Sequence, residues 1–443
     1  MKKYILLSII ALLLNSCQEV SEHKPLLIDT KEKQPIIIVN QNRHLNIPEF
    51  WIDKIENPDK LIMSPKKIKE FNDKVAYVQK KFTYFRDTNR YYSSSWVKNS
   101  IEKMFNNIET KGRYFADGNR ILRNFYSKIK NEMNLNSLPT NRVKSRYALT
   151  INYTNQKIIP TDLELLKKKN QIYFDRNQNS ALDIATPITI LHSTDNGEWH
   201  YGIGPTSSGW IKDKNIAFGE KKEIEEYLDS KNFIITTEAK SAVMVAGRYY
   251  DYLRMGVRLP SLLTIDDMTM VLIPSRDQEG RLILKNATIK TSNTHKGYLP
   301  YTPKTILTQA FKFLHAPYGW GGSYGEQDCS KFLQEIYATV GINIPRNSSS
   351  QTLVGSQHIE LSNLKEESKR NLIRGTTIGA TILHLKGHIM LYLGEYKGEP
   401  YIIHTVWGEG KRHFALGRTA ITALEFNDYI DKIDRATLIK NQD

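Results

Sequence analysis

Residues 317–330, PYGWGGSYGEQDCS, place one cysteine at the start of a predicted helix and decide how the C-terminal part of the chain folds. A proline and four glycines fill the approach to Cys329, and Asp328 directly before it is a favoured helix N-cap. Apolar side chains then recur at i, i+1, i+4, i+5 and i+8, which is one helix face: Phe332, Leu333, Ile336, Tyr337 and Val340. Gly341 is suited to end this helix.

Cys329 has the surroundings of a nucleophile. A free thiol with a pKa of about 8.5 is only about 3 % ionised at pH 7. Unpaired N–H groups at a helix start and a nearby imidazolium lower the pKa of a cysteine, and the preceding glycines let backbone N–H groups converge on an oxyanion. We therefore expect Cys329 to be an activated nucleophile with a lowered pKa. A buried structural cysteine is the alternative.

Two histidines lie on predicted strands downstream of this cysteine. Residues 388–393 and 400–406 are apolar runs joined by a loop with glycine at each end, which predicts a β-hairpin. If the hairpin is centred on Tyr396, opposed residues have numbers that sum to 792, so His388 and His404 face each other. One imidazole can then take the thiol proton while the second orients the first.

Cys329, His388 and His404 could instead ligate zinc. The chain has two cysteines in total and no CxxC pair, so a nucleophilic cysteine with an oriented base is favoured, and neither a metal nor another cofactor is expected. The other histidines near the C-terminus have no companion at a useful spacing and are interpreted as structural: His315, His358, His384 and His413.

The first seventeen residues predict an export signal. A basic start precedes an apolar run, Tyr4–Leu14, that is too short to cross a hydrocarbon layer of roughly 30 Å as a helix. The following Leu14-Asn15-Ser16-Cys17 resembles a bacterial lipobox, which implies a lipid on Cys17. Residues 1–17 would then be a signal peptide and 18–48 a tether. The mature chain would be extracytoplasmic and lipid-anchored, at the outer membrane in a Gram-negative cell. A buried first helix of a cytosolic protein is the alternative.

Composition describes a globular chain of several domains. It has 443 residues, 40 % of them hydrophobic, and a formal net charge of +15. Residues 49–150 predict a helical domain, with apolar positions such as Val75, Val78, Phe82 and Phe85 three or four apart. Residues 51–150 carry 21 Lys and Arg against 10 Asp and Glu. A solvated helical face or attraction to anionic lipid or wall polymer both account for this surplus, whereas nucleic acid is a poor partner for an exported chain.

Residues 151–298 change to short apolar runs separated by turns, which predicts small β-barrels. Residues 199–202 and 208–211 resemble the end of a bacterial SH3-type module, so we place one module at 151–220 and a second at 221–298. The acidic stretch 220–227 between them is expected to be a helical connector. The predicted fold class is α+β and multidomain, with a helical N-terminal region, two small SH3-like β-barrels and a C-terminal domain at 299–443.

The segment from Thr302 onward resembles an NlpC/P60 papain-like cysteine peptidase domain. The resemblance rests on residues 317–322, the triplet 328–330, Gly387 with His388, His404, and residues 344–348 with Gln351. It implies an endopeptidase that cuts γ-D-glutamyl-diamino acid bonds in peptidoglycan stem peptides or muropeptides with a free N-terminal L-Ala. In this reading Cys329 is the nucleophile, His388 the base and later the acid, and His404 the orienting residue.

The same resemblance implies a set of substrate-binding residues. Asp328 would supply a carboxylate for the free amine, and Ser330 and Ser348 would supply hydroxyls. Tyr318 and Trp320 would shape the cleft wall, or are plain core. Asn347 stands where several family members carry an acid, which would weaken a preference for the amine.

The first SH3-type module, around Trp210, is expected to close one end of the cleft and so to favour short muropeptides. A second class of function is a peptidoglycan-binding lipoprotein whose peptidase-like domain is inactive. A third keeps the fold but catalyses acyl transfer or amide cleavage on another substrate, since a fold alone does not fix a function.

Overall fold

The computed structural model describes residues 43–109, 111–169, 171–355, 357–408 and 416–441. The predicted signal segment with Cys17, most of the predicted tether, and His413 lie outside these residues. Within the described ranges, no helix combines the length and the apolar character needed to cross a membrane.

The first helices belong to the core of the C-terminal domain. Helices α1 (Pro48–Ile52) and α2 (Pro65–Asp73) bury Trp51 and Phe71 in one cluster with residues of that domain. The longer helix predicted from the spacing of Val75 and Val78 does not form. A π-helical turn over Lys74–Val78 follows α2, and Val78 is 72 % exposed. Lys80 has a φ of 55°, which turns the chain away from the helical path.

The next helices pack against a different core. Strand β1 (Tyr91–Ser93), helices α3 (Ser94–Glu109) and α4 (Arg123–Glu132), and strand β2 (Arg142–Lys144) follow in order, and β1 pairs antiparallel with β2. Phe105 and Ile129 share a cluster with Trp210 of the following sheet. The helices predicted within 49–150 therefore divide between two cores, because each has one apolar face and covers the apolar surface beside it.

Residues 146–219 form a seven-stranded antiparallel sheet, called here the first module. The sheet order is β5-β4-β8-β7-β6-β3-β9. Its strands are β3 (Arg146–Thr150), β4 (Thr154–Lys157), β5 (Gln178–Leu182), β6 (Pro187–Ser193), β7 (Trp199–Ile203), β8 (Ser208–Lys212) and β9 (Ile216–Gly219).

Helix α5 (Lys221–Leu228) then leads to a second seven-stranded antiparallel sheet, so the predicted helical connector is confirmed. The sheet order is β12-β11-β15-β14-β13-β10-β16. Its strands are β10 (Phe233–Thr236), β11 (Lys240–Val245), β12 (Arg248–Arg254), β13 (Arg258–Ile265), β14 (Met268–Arg276), β15 (Leu282–Lys290) and β16 (Thr294–Lys296).

The C-terminal domain packs helices against a six-stranded antiparallel sheet of order β17-β22-β18-β19-β20-β21. Its helices are α6 (Pro303–Phe311), α7 (Cys329–Ala338), α8 (Ser348–Gln351), α9 (Glu366–Arg374) and α10 (Tyr429–Lys432). Its strands are β17 (Gln357–Glu360), β18 (Thr381–Leu385), β19 (His388–Tyr396), β20 (Glu399–Val406), β21 (Arg418–Ala423) and β22 (Arg435–Leu438). The predicted α+β, multidomain fold class is confirmed.

Two glycines let the loop before α7 lie directly on the first module. Gly321 and Gly322 have φ values of 62° and 85°. A Cβ atom at Gly322 would lie 2.7 Å from the Ala181 Cβ, and the Tyr153 hydroxyl donates to the Gly322 carbonyl at 2.6 Å. These glycines therefore serve the contact between domains.

An ion pair between two largely buried side chains fixes the same contact. Lys331 in α7 donates to the Asp183 carboxylate of the first module at 2.6 Å. Their side chains are 10 % and 18 % exposed. The helix that carries Cys329 is thus tied to the first module two residues after the cysteine.

Candidate active site

Cys329 is the first residue of α7, and 9 % of its surface is exposed. The Asp328 carboxylate caps the helix by accepting the backbone N–H groups of Ser330 at 3.2 Å and Lys331 at 2.9 Å. The apolar face predicted for this helix is buried, as in Phe332. The predicted helix start at Cys329 and the cap at Asp328 are confirmed.

The Asp328 carboxylate is also held by Arg346. The two terminal nitrogens of Arg346 donate to it at 2.7 and 3.1 Å, and the Arg346 Nε donates to the Ser180 hydroxyl of the first module at 2.9 Å. The Ser330 hydroxyl and the Gly321 N–H donate to the same carboxylate at 3.0 and 3.1 Å. Burial raises the pKa of Asp328, but Arg346 and the other donors outweigh burial and hold this pKa below its usual range.

This network gives two predicted substrate-binding residues another task. The side chains of Asp328 and Ser330 are hydrogen-bonded to Arg346, and Asp328 also caps the helix. Neither residue lines the cavity at Cys329. Ser348, the first residue of α8, also lies outside that lining. Tyr318 and Trp320 do line it, as the resemblance implied.

The hairpin of β19 and β20 brings His388 and His404 together, although not in the predicted register. Residue numbers across the strands sum to 795 at the turn and to 794 beyond an irregularity between Tyr392 and Gly394, so the predicted sum of 792 is wrong. Because side chains alternate along a strand, the register at the turn would put the two histidines on opposite faces. The bulge shifts the register by one and returns both to one face as diagonal neighbours.

The two imidazoles form a hydrogen-bonded chain that ends at a hydroxyl. The His388 Nε2 lies 2.7 Å from the His404 Nδ1, and the His404 Nε2 lies 3.2 Å from the Thr422 Oγ1. For the His388 Nδ1 to accept a proton, its Nε2–H must donate to His404, whose own Nε2–H then donates to Thr422. Thr422 is a positioning residue that the sequence did not reveal, because only strand pairing between β20 and β21 brings it here.

The charge states of Cys329 and His388 differ from the expectation of an ionised thiol beside an imidazolium. Burial, and then the neighbouring Asp328 carboxylate, raise the pKa of Cys329 to about 12. The backbone N–H of Ile389, the residue after His388, bonds to the sulfur and opposes this rise. Burial lowers the pKa of His388 to about 4, and burial holds the pKa of His404 well below its usual value. The resting pair is therefore a neutral thiol beside a neutral imidazole.

Cys329 and His388 line one cavity of about 830 Å³. His404 is fully buried behind His388. Part of the cavity wall is aromatic and comes from two domains, since the Phe174 ring of the first module lies 5.4 Å from the Trp320 ring and 5.6 Å from the Trp407 ring. The first module closes the cavity as expected, but through the segment 171–176. Trp210 is instead buried in the cluster that the module shares with α3 and α4.

Sequence reasoning missed several residues of this lining. Tyr173, Phe174 and Arg176 lie about 150 residues before Cys329, in a stretch without periodicity, so nothing in the sequence connects them to it. Trp407 follows His404 by three residues, and that proximity was an available signal. Tyr429, at the start of α10, has its ring 5.9 Å from that of His388.

The zinc alternative has little support in this geometry. Within the described ranges, no group of three or more His, Cys, Asp or Glu side chains is arranged to hold a metal ion. The facing nitrogens of His388 and His404 are hydrogen-bonded to each other rather than directed at one point.

Comparisons with known families agree with this geometry. Residues 315–413 match the NlpC/P60 family, and residues 165–212 match the SH3 domain of the SH3b1 type. The chain therefore carries an NlpC/P60 domain and an SH3 domain. In fold it is similar to an NlpC/P60 endopeptidase from Photobacterium damselae subsp. piscicida, with a TM-score of 0.73 and 21 % identity over 87 % of this chain and 95 % of that one.

Two curated proteins are similar over shorter stretches. One is the gamma-D-glutamyl-L-lysine dipeptidyl-peptidase of Bacillus cereus (strain ATCC 10987 / NRS 248), 27 % identical over 168 residues, which are 35 % of this chain and 47 % of that protein. The other is the bifunctional muramidase/DL-endopeptidase CwlT of Bacillus subtilis (strain 168), 34 % identical over 86 residues, or 18 % of this chain and 25 % of that protein. The chain thus spans less than half the length of each.

Replacing Thr422 by Val removes the hydroxyl that accepts from His404 and leaves a buried N–H without a partner. Loss of such a bond costs about 1–3 kcal/mol, so we expect the alkylation of Cys329 by iodoacetamide at pH 7 to slow about tenfold. The rate is measured on residues 18–443, in which Cys329 is the only cysteine.

Thr422→Ser keeps the acceptor and should restore the rate. Thr405→Val removes a buried hydroxyl that bonds to Thr419 on the same two strands, and should leave the rate unchanged. An unaltered rate in Thr422→Val would contradict the hydrogen-bonded chain.

Proposed function

We propose that this chain is a cysteine peptidase that hydrolyses peptide bonds in the stem peptides of bacterial peptidoglycan. The observation that carries the proposal is that Cys329 and His388 share one cavity, with the His388 ring held by His404 at 2.7 Å. The NlpC/P60 match covers all three residues, and the SH3 match adds a module of the kind found in wall-associated proteins. The name of one curated relative, gamma-D-glutamyl-L-lysine dipeptidyl-peptidase, points to the bond after γ-D-glutamate, and the name of the other includes a DL-endopeptidase.

Catalysis begins from neutral groups. As the Cys329 sulfur bonds to the scissile carbonyl carbon, the thiol proton passes to the His388 Nδ1, and the imidazolium is stabilised through His404. Collapse of the tetrahedral intermediate breaks the C–N bond, and His388 gives the proton to the departing amine. Water then attacks the thioester carbon while His388 takes one of its protons. The C–S bond breaks, the carboxylic acid is released, and His388 returns the proton to the Cys329 sulfur.

We assign the stabilisation of the oxyanion to two donors. The backbone N–H of Cys329 is at a helix start, where N–H groups lack a partner within the helix. Tyr318 lines the same cavity, and burial raises the pKa of its hydroxyl far above the usual value, so that it remains a donor. Donors of this kind act on the charge that develops in the transition state.

The cavity favours short peptides over the intact polymer. At about 830 Å³ it is within the range of sites for small molecules, and the first module closes one side of it. The proposed substrate is therefore a trimmed muropeptide or free stem peptide with an N-terminal L-Ala. We assign no residue to the free amine, because Asp328 is engaged by Arg346 and Asn347 is exposed.

The alternative is a wall-binding lipoprotein with an inactive peptidase-like domain, and cleavage of a stem peptide distinguishes it from this proposal. Residues 18–443 are incubated with L-Ala-γ-D-Glu-diaminopimelate, and the products are identified by mass. We expect cleavage after γ-D-Glu that is abolished in Cys329→Ala and His388→Ala, because these variants lack the nucleophile and the base.

His358→Ala, which alters an exposed histidine of the same sheet, is the matched control and should cleave at the wild-type rate. Binding to wall sacculi without cleavage would favour the binding protein. Activity in Cys329→Ala would end the assignment of the nucleophile.

We also propose that the mature chain is lipid-anchored and faces an extracytoplasmic space. The support is the sequence at residues 1–17, where a basic start and an apolar run lead to the lipobox-like Leu14-Asn15-Ser16-Cys17. A lipid at Cys17 would hold the enzyme at a membrane, at the outer one if the cell is Gram-negative.

Replacing Cys17 by Ser removes the sulfur that would carry the lipid, so the full chain should move from the membrane fraction to the soluble fraction. Ser16→Ala keeps a small residue before the cysteine and should leave the protein in the membrane fraction. Retention of the Cys17→Ser variant in membranes would refute the anchor.

A further inference from the structure

The first module contributes a cation to the catalytic cavity. Arg176 lies two residues before β5 and lines the same cavity as Cys329 and His388. Its guanidinium lies over the Trp320 ring, 4.4 Å from the ring centre. Arg176 is thus held against the aromatic wall where the first module meets the loop before α7.

Arg176 has no acidic partner in the part of the chain that the structure describes. Its Nε is buried without a hydrogen-bond acceptor, and so is the Nε1 of Trp320 beneath it. Burial and the neighbouring cation Arg113 lower the pKa of Arg176, and Tyr318 opposes them. Two N–H donors therefore lie together at the cavity wall, and no described residue supplies an acceptor for either.

Three buried cations nearby differ from Arg176 because each has a carboxylate partner. Lys157 of the first module pairs with Asp175 at 2.7 Å, and Lys331 and Arg346 of the C-terminal domain also have carboxylate partners. Arg176 is half-buried, and a guanidinium that has lost part of its hydration without a counter-charge is unfavourable. An anion supplied by a ligand would relieve this cost, and a guanidinium is well suited to a carboxylate, which it can bind through two parallel hydrogen bonds.

We propose that Arg176 binds a substrate carboxylate that flanks the scissile bond. This inference rests on the proposed function and names a specificity residue for it. A γ-linked D-glutamyl residue keeps its α-carboxylate free on the acyl side of the bond, and the diamino residue has a carboxylate on the leaving side. The first module would then select the substrate, in addition to limiting its size. A stem peptide amidated at the bound carboxylate would be a poor substrate.

Three peptides separate the two carboxylates: L-Ala-γ-D-Glu-diaminopimelate, the same peptide amidated at the D-glutamyl α-carboxyl, and the same peptide amidated at the diaminopimelate carboxyl next to the scissile nitrogen. We expect the wild type to cleave the unmodified peptide with a kcat/KM roughly tenfold or more above that for one of the amides, because bonds between charged groups are the stronger ones. The disfavoured amide identifies the carboxylate.

Arg176→Gln should reduce the ratio of kcat/KM between the unmodified peptide and the disfavoured amide to about one. It should do so by slowing cleavage of the unmodified peptide. Arg176→Lys keeps the charge but not the planar fork, and should retain part of the preference. Arg146→Gln is the matched control. Arg146 belongs to the same module and also stacks on a ring, 3.7 Å from the centre of Phe218, but lines another groove. The Arg146→Gln variant should show the same preference as the wild type.

Equal cleavage of all three peptides by the wild type would overturn the inference. So would an Arg176→Gln variant that slows all three equally and keeps the preference, since that result describes a structural role. If the wild type cleaves none, the proposed function fails, and calorimetry of L-Ala-γ-D-Glu-diaminopimelate, which contains both carboxylates, with Cys329→Ala decides about Arg176 separately. Binding that is lost in Cys329→Ala/Arg176→Gln supports the carboxylate site, and no binding overturns it.

Discussion

The buried ion pair between Asp328 and Arg346 is the interaction on which the rest of the site depends. The Asp328 carboxylate caps α7 directly before Cys329, and it accepts the N–H of Gly321 in the loop that forms the cavity wall. Arg346 extends the connection to Ser180 of the first module. Removing one partner of a buried pair costs about 3–5 kcal/mol, so the nucleophile, the loop and the module are held in one arrangement.

The same carboxylate sets the charge of the site. Asp328 disfavours a thiolate beside it, and burial disfavours both a thiolate at Cys329 and an imidazolium at His388. A neutral resting pair needs no counter-charge in a cavity shielded by aromatic rings. The negative charge then arises only during attack, when the proton has moved to His388 and the chain through His404 can support the imidazolium.

Local patterns in the sequence were sufficient for the helix at Cys329, its cap, and the presence of both histidines on one face of a hairpin. Features that depend on contacts between distant parts of the chain could not be predicted from these local patterns. The bulge before Gly394 changes the register, and the composition of the turn did not reveal it. Asp328 has an N-cap signature, but its pairing with Arg346 requires the folded domain. No sequence feature near Cys329 indicates that Arg176 or Thr422 belongs to the site. The thiol pKa is raised because Cys329 is buried, and the sequence alone does not show that burial.

The ultraviolet absorbance of the thiolate tests the central claim most directly. The difference spectrum between residues 18–443 and its Cys329→Ala variant is followed as the pH is raised, so that the tyrosine signals cancel. The neutral pair predicts no thiolate signal at neutral pH, with ionisation only as the pH approaches the Cys329 pKa of about 12. A thiolate signal that is already present at neutral pH, and that disappears only on acidification, would contradict the account.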